Sequence, residues 1–133
     1  MKDETRRWLD YAVENLDCAK LSANNGYFNP AIQNAQQAAE KAVKALIVER
    51  RLDFHRTHNL SELRNILDQA GIDIGLSDEN CELMDSIYLP SKYPMGSALP
   101  DYHPDENIAR ACISIAEGIV AGVNLTLAPS ISY

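Results

Sequence analysis

Apolar residues recur every three or four positions along almost the whole chain, and no stretch shows the two-residue alternation of a half-buried strand. The pattern predicts an all-helical protein. In the first segment Leu9, Ala12, Val13, Leu16 and Ala19 form one stripe that runs to Asn24-Asn25-Gly26, residues suited to the left-handed turn that ends a helix, so helix 1 is expected over about 3–24. Asn29-Pro30 reads as the next start, with Asn capping free amides and Pro in the first turn. Helix 2 is expected to run from there to about Arg51. Projected at 100° per residue, Ile32, Ala35, Ala39, Ala42, Val43 and Leu46 share a narrow core face, while Gln37, Glu40, Lys41, Lys44 and Arg51 fall opposite, on a basic polar face. Arg50 is expected on the core side, satisfying terminal carbonyls.

Asn59, followed three residues later by Glu62, imitates a capping box and opens helix 3, which carries Leu60, Leu63, Ile66 and Leu67 and ends before Gly71. Ser77 caps helix 4, whose apolar spacing is Cys81, Met84, Ile87 and Tyr88 and whose expected end is Pro90. Pro104, Asp105 and Glu106 start helix 5, with Ile108, Ala111, Cys112, Ile115, Ile119, Val120 and Val123 along it, fading near Pro129. Prolines 90, 94, 100 and 104 sit in the single connection between helices 4 and 5. That segment is either a stiff surface crossover or the lining of a site. The expected architecture is all-α: an up-and-down bundle of four long helices plus a shorter fifth, in one domain spanning 1–133.

Composition narrows the classes. The 133 residues, 46% hydrophobic and 23% charged, suit one compact domain and exclude disorder as the main description. Cys18, Cys81 and Cys112 are odd in number and form no CxxC pair, so reduced thiols and a cytoplasmic location are expected, with neither a disulfide framework nor a zinc site. The N-terminal residues have no apolar run after their charges, and the apolar stretch from Ile113 to Leu127 is interrupted by Glu117 and Asn124, so no signal peptide or membrane span is expected. The formal charge of −7 hides a dipole. Six of the 12 Lys and Arg residues (Lys41, Lys44, Arg50, Arg51, Arg56, Arg64) lie between 41 and 64, whereas 65–109 holds nine acids against Lys92. An anionic ligand is therefore compatible with the first region, and so is charge pairing between subunits of a scaffold.

Leu16, Ala19, the run Gly26-Tyr27-Phe28-Asn29-Pro30-Ala31, the run from Gln36 to Leu46, Thr57-His58-Asn59-Leu60 and Ser91-Lys92-Tyr93-Pro94 together resemble the HEPN domain (higher eukaryotes and prokaryotes nucleotide-binding) over nearly the whole chain. The resemblance implies a helical bundle that is usually dimeric. It also implies association with nucleotides, RNA or a separately encoded small nucleotidyltransferase in toxin-antitoxin-like modules. Some members are metal-independent RNases that use an Arg, four to six intervening residues and a His, drawn from two subunits. The His takes the 2′-hydroxyl proton while the Arg fork stabilises charge on the phosphate.

Two pairs have that spacing here: Arg50 with His55, and Arg51 with His58. In the nuclease members the motif lies just before the last helix, where this chain has Lys92 and no His until His103. The departure argues against catalysis. For His58 the alternative is a loop-orienting role. Lys41, Lys44 and Arg51, with Lys92 and Tyr93 from the proline-rich connection, are the candidate contacts to phosphate and base; as structural residues they would be a solvated face and a packing anchor. Gly96-Ser97 with Asp101 lacks the strand and paired acids of a nucleotidyltransferase, and no Walker A, GxGxxG or GxSxG pattern occurs. No cofactor or metal is expected.

Overall fold

The structure, a computed structural model, describes residues 1–54, 56–57, 59–92 and 103–128, and for 88–92 the backbone alone. It contains α1 (Asp3–Asn24), α2 (Phe28–Glu49), α3 (Leu60–Gln69), α4 (Asp78–Lys92) and α5 (Glu106–Leu127), with no strand among the described residues. The all-helical expectation holds. α2 is the central rod and touches each of the other four helices, most extensively α1 and then α5.

Alanine explains how close the rods come. Ala12, Ala19 and Ala23 of α1 and Ala31, Ala35, Ala38, Ala39, Ala42 and Ala45 of α2 are all buried, so two backbones approach with only methyl groups between them. Larger anchors fill the remaining volume: Ile32, Leu46, Ile47, Leu60, Leu63 and Leu67 are fully buried, each contributing about 2 kcal/mol of burial. Val13 does not join its predicted stripe; it is 43% exposed.

Helix boundaries follow local chemistry with four departures. α2 begins at Phe28, before Asn29, and its N-cap residue Tyr27 makes no side-chain cap bond; Pro30 still falls in the first turn, where no donor is needed. α2 ends at Glu49, two residues before the predicted end. α4 runs two residues beyond Pro90, whose locked φ is itself helical. α5 begins at Glu106, two residues after Pro104, with Asp105 as its cap, accepting from the Ile108 amide at 2.8 Å. The other predicted caps form: Asn59 accepts from the Glu62 amide at 3.0 Å and Ser77 from the Asn80 amide at 3.1 Å. Glu62 does not close the box on Asn59; its carboxylate accepts from the Thr57 hydroxyl at 2.7 Å.

α1 lies antiparallel to α2 and α5. At one end, the Lys2 amide and the Thr5 hydroxyl each donate to Glu49 at 3.0 Å, and Lys2 Nζ donates to the Val48 carbonyl at 3.0 Å. At the other, Lys20 pairs with Glu117 at 3.4 Å and Arg110 donates to Asn24 at 3.0 Å. The Lys2 amide first, then the Thr5 hydroxyl, hold the Glu49 carboxyl below its ordinary range. A carboxyl depressed in the folded state stabilises it above the unfolded value and loses that effect as pH falls through the folded value. The protection of amides over the first turn of α1, relative to their intrinsic exchange rates, is therefore expected to fall below about pH 4 in the wild type, and Glu49→Gln is expected to remove that fall.

α5 departs from the sequence expectation in one respect. By length and composition it is long and apolar enough to cross a membrane, the one such helix among the described residues, yet its inner face packs on α2 and 39% of its most apolar window is buried. Cys112 on that inner face is buried, and burial pushes its thiol up to about 12. Cys81 is buried too, and Cys18 is exposed; all three are free.

Candidate nucleic-acid interface

The six cations of the basic segment sort into two groups once the bundle assembles. Lys44, predicted on a polar outer face, is 8% exposed, and Glu40 is 2% exposed. They form an ion pair at 2.6 Å between α2 and the side of α1 that carries Trp8. The prediction of a basic solvent face on α2 is thus corrected. A helix contacted by four neighbours has little free perimeter, and α1 covers the arc where these residues project. Lys41 is half-buried, donates to Asn15 Oδ1 at 2.7 Å, and lies 5.7 Å from the centre of the Tyr11 ring. Arg64 is held by Asp68 at 3.3 Å and by Asp78.

The second group is at the α2–α3 turn. Arg50, Arg51 and Arg56 are exposed, and among the described residues none forms an ion pair. Arg50 therefore does not lie on the core side, as its spacing had suggested. The nearest acid on α2, Glu49, is turned to the start of α1.

Arg51 is the one positive-φ non-glycine residue among those described, at φ 56°. Its backbone closes α2 with two bonds, Arg51 N–H to the Val48 carbonyl at 3.1 Å and Leu52 N–H to the Ile47 carbonyl at 3.0 Å. α1 and α3 close with the same bond pattern, and there the left-handed position is a glycine, Gly26 or Gly71. At the α2 end an arginine takes a conformation that costs a residue with a Cβ roughly 1 kcal/mol. Arg51→Gly is expected to raise unfolding free energy by about 1 kcal/mol, read from urea midpoints at unchanged slope.

A structural clasp forms at the start of α3. Asp85 of α4 accepts from the Leu60 amide at 2.8 Å, the Ser61 amide at 3.1 Å and the Ser61 hydroxyl at 2.8 Å, placing a carboxylate on the open N-terminus of α3. The Asn59 amide donates to Thr57 Oγ1 at 3.1 Å. His55, His58 and Tyr93 lie outside the described residues, as does the side chain of Lys92, whose backbone ends α4.

Sequence reasoning missed the α1 contribution. Glu4, Arg7, Trp8 and Tyr11 line a shallow groove of ≈ 280 Å³ on the outer side of α1, and Tyr11 is 53% exposed. Lys44 Nζ lies over the Trp8 ring at 5.7 Å, as Lys41 lies over Tyr11. The signal was present: Trp8 and Tyr11 stand three apart, off the Leu9–Leu16 stripe, on a face otherwise polar. Because the Trp8 end of α1 is bound to the last turn of α2, the groove and the arginine turn occupy the same end of the molecule.

A family profile described as the HEPN domain matches residues 5–125. No functionally curated protein matches the chain. Among solved structures the chain is similar to TT1696 from Thermus thermophilus, with a TM-score of 0.72 and 27% identity, covering 95% of this chain and 100% of that one. It is also similar to ST0689, described as an archaeal HEPN homologue, with a TM-score of 0.71 and 27% identity over 95% of this chain and 98% of that one.

Proposed function

The chain belongs to the HEPN domain family, whose members support a nucleotide- or RNA-related role, and we propose that this protein binds the phosphates of RNA at the arginine turn between α2 and α3. The observation that carries the reading is Arg51. A left-handed arginine where α1 and α3 use glycine keeps a guanidinium beside Arg50 and Arg56 at a stability cost, and strain held in place against a cheaper residue marks a functional position. Exposed arginines with no acid partner among the described residues suit phosphate, which the guanidinium fork grips with two bonds. Lys92, the last residue of α4, and Tyr93 after it are assigned to the same ligand.

The test is fluorescence anisotropy of a labelled single-stranded RNA across a salt series. Affinity should fall steadily with salt, and the triple variant Arg50→Gln, Arg51→Gly, Arg56→Gln should lose at least tenfold and flatten the salt slope by up to three charges. Binding that ignores both salt and the triple substitution would end the reading.

A second reading, metal-independent RNA cleavage with Arg51 orienting phosphate and His58 as base, with Arg50 and His55 as the other pair, draws on the same strained arginine. It requires cleavage in EDTA that leaves cyclic phosphate ends and disappears in His58→Ala. We further assign the protein a homodimeric state, a cytoplasmic location consistent with three free thiols, and a nucleotidyltransferase partner in a toxin-antitoxin-like pair. Sedimentation and co-purification with the product of an adjacent gene check the first and last of these.

A further inference from the structure

We propose that the groove on α1 lined by Glu4, Arg7, Trp8 and Tyr11 is a base-binding subsite that selects guanine. The inference rests on the nucleotide-binding reading above and names which base that ligand presents.

The aromatic pair is the starting point. Trp8 is half-buried and Tyr11 is mostly exposed, so burial does not account for two large rings side by side on a polar helix face. Both rings are nonetheless held. Lys44 is fixed by Glu40 at 2.6 Å and lies over Trp8; Lys41 is fixed by Asn15 at 2.7 Å and lies over Tyr11. Asn15 is in turn tied to Asn34 at 3.0 Å, and Asn34 to the Pro30 carbonyl at 3.0 Å. The platform is ordered before any ligand arrives, which removes an ordering cost from binding. A cation against one face draws π density from a ring, so the other face disfavours a second cation and favours an electron-rich aromatic plane. Purines are such planes, and base stacking on aromatic side chains is a common mode of single-strand recognition.

Glu4 and Arg7 supply the selectivity. Three residues apart, they are neighbours along the helix surface and both line the groove. Guanine presents two adjacent edges of opposite character: N1–H and the 2-amino group donate, while O6 and N7 accept. A carboxylate accepts both donors, and a guanidinium fork matches O6 and N7. Adenine presents an acceptor to the carboxylate at N1 and a donor to the guanidinium at N6, so both contacts become repulsive. Lys44 lies five residues before the end of α2 at Glu49, about 8 Å along its axis, and Arg51 follows that end, so a base in the groove places its phosphate within reach of the arginine turn.

Trp8 is the one tryptophan of the chain, so its fluorescence reports directly on stacking. Titration with GMP is expected to quench it saturably, with AMP, CMP and UMP binding at least about tenfold more weakly. Tyr11→Ala should weaken all nucleotides together, about tenfold, whereas Glu4→Gln should abolish the preference for GMP over AMP while leaving stacking in place. Both positions are exposed, so the fold is retained. Equal quenching by all four nucleotides would overturn the guanine assignment. No quenching while labelled RNA still binds in a salt-dependent way would overturn the subsite and leave the arginine turn standing; GMP quenching without RNA binding would do the reverse. Trp8 emission that shifts with protein dilution and ignores nucleotides would give this face to a second copy of the chain, and would likewise overturn the subsite.

Discussion

Replacing Lys44 by methionine is expected to lower the unfolding free energy by about 3 kcal/mol, a large share of the total stability of a domain of this size. The Glu40 side chain is 3% exposed and that of Lys44 10%, and their 2.6 Å contact joins two groups that have both given up most of their water. Methionine keeps the length and the apolar stem of lysine but takes the ammonium away from the Glu40 carboxylate. The cost comes from breaking this close contact inside the bundle, so removing both charges should relieve it. Glu40→Leu combined with Lys44→Met is expected within about 1 kcal/mol of the wild type. Urea unfolding followed by circular dichroism is the appropriate measurement, because Trp8 lies against the Lys44 ammonium and its fluorescence should change in the variant without any unfolding. A Lys44→Met loss below about 1 kcal/mol, or a double variant as damaged as the single, would show that the pair is solvated and that α1 does not seal it.

The second large effect separates two glycines of the same helix. At Gly122 an added Cβ would sit 2.4 Å from the backbone oxygen of Ile74 and 3.3 Å from its carbonyl carbon, while at Gly118 nothing lies within 4 Å. Gly122 is the point where the segment before α4 rests directly on the α5 backbone. A backbone carbonyl cannot rotate away as a side chain can, so Gly122→Ala must push the two elements apart, at an expected cost of about 2–3 kcal/mol. Gly118→Ala meets open space and should stabilise α5 by about 1 kcal/mol through helix propensity. Opposite signs for one chemical change on one helix are the diagnostic result. If both alanines stabilise, Ile74 does not pack on α5 as described.

Much of the bundle could be read from residue spacing. Leu9, Leu16 and Ala19, the alanine face of α2, Gly26 and Gly71, and the Asn59 and Ser77 caps each act within a few residues of chain, where the period of an α-helix and the geometry of its ends leave little choice. Where a helical projection was asked to say what faces water, it failed: Lys44 and Glu40 are buried, Arg50 and Val13 are exposed. A single rod has one inner and one outer side, whereas α2 is enclosed by four neighbours, and no property of its own sequence says how many will come.

The candidate site divides along the same line. The order of the helices, their approximate extents and the resemblance to HEPN domains are local matters of residue order, and the sequence alone settled them. Which cations remain available was not, because the burial of the Glu40–Lys44 pair against α1, the contact of Arg64 with Asp78 and the ring contact of Lys41 exist only when helices distant in sequence meet. Propensity acts through neighbours along the chain; desolvation and pairing act through neighbours in space, and among the described residues the latter leave the three arginines of the α2–α3 turn, with Arg6 and Arg7 of α1, exposed and outside any ion pair.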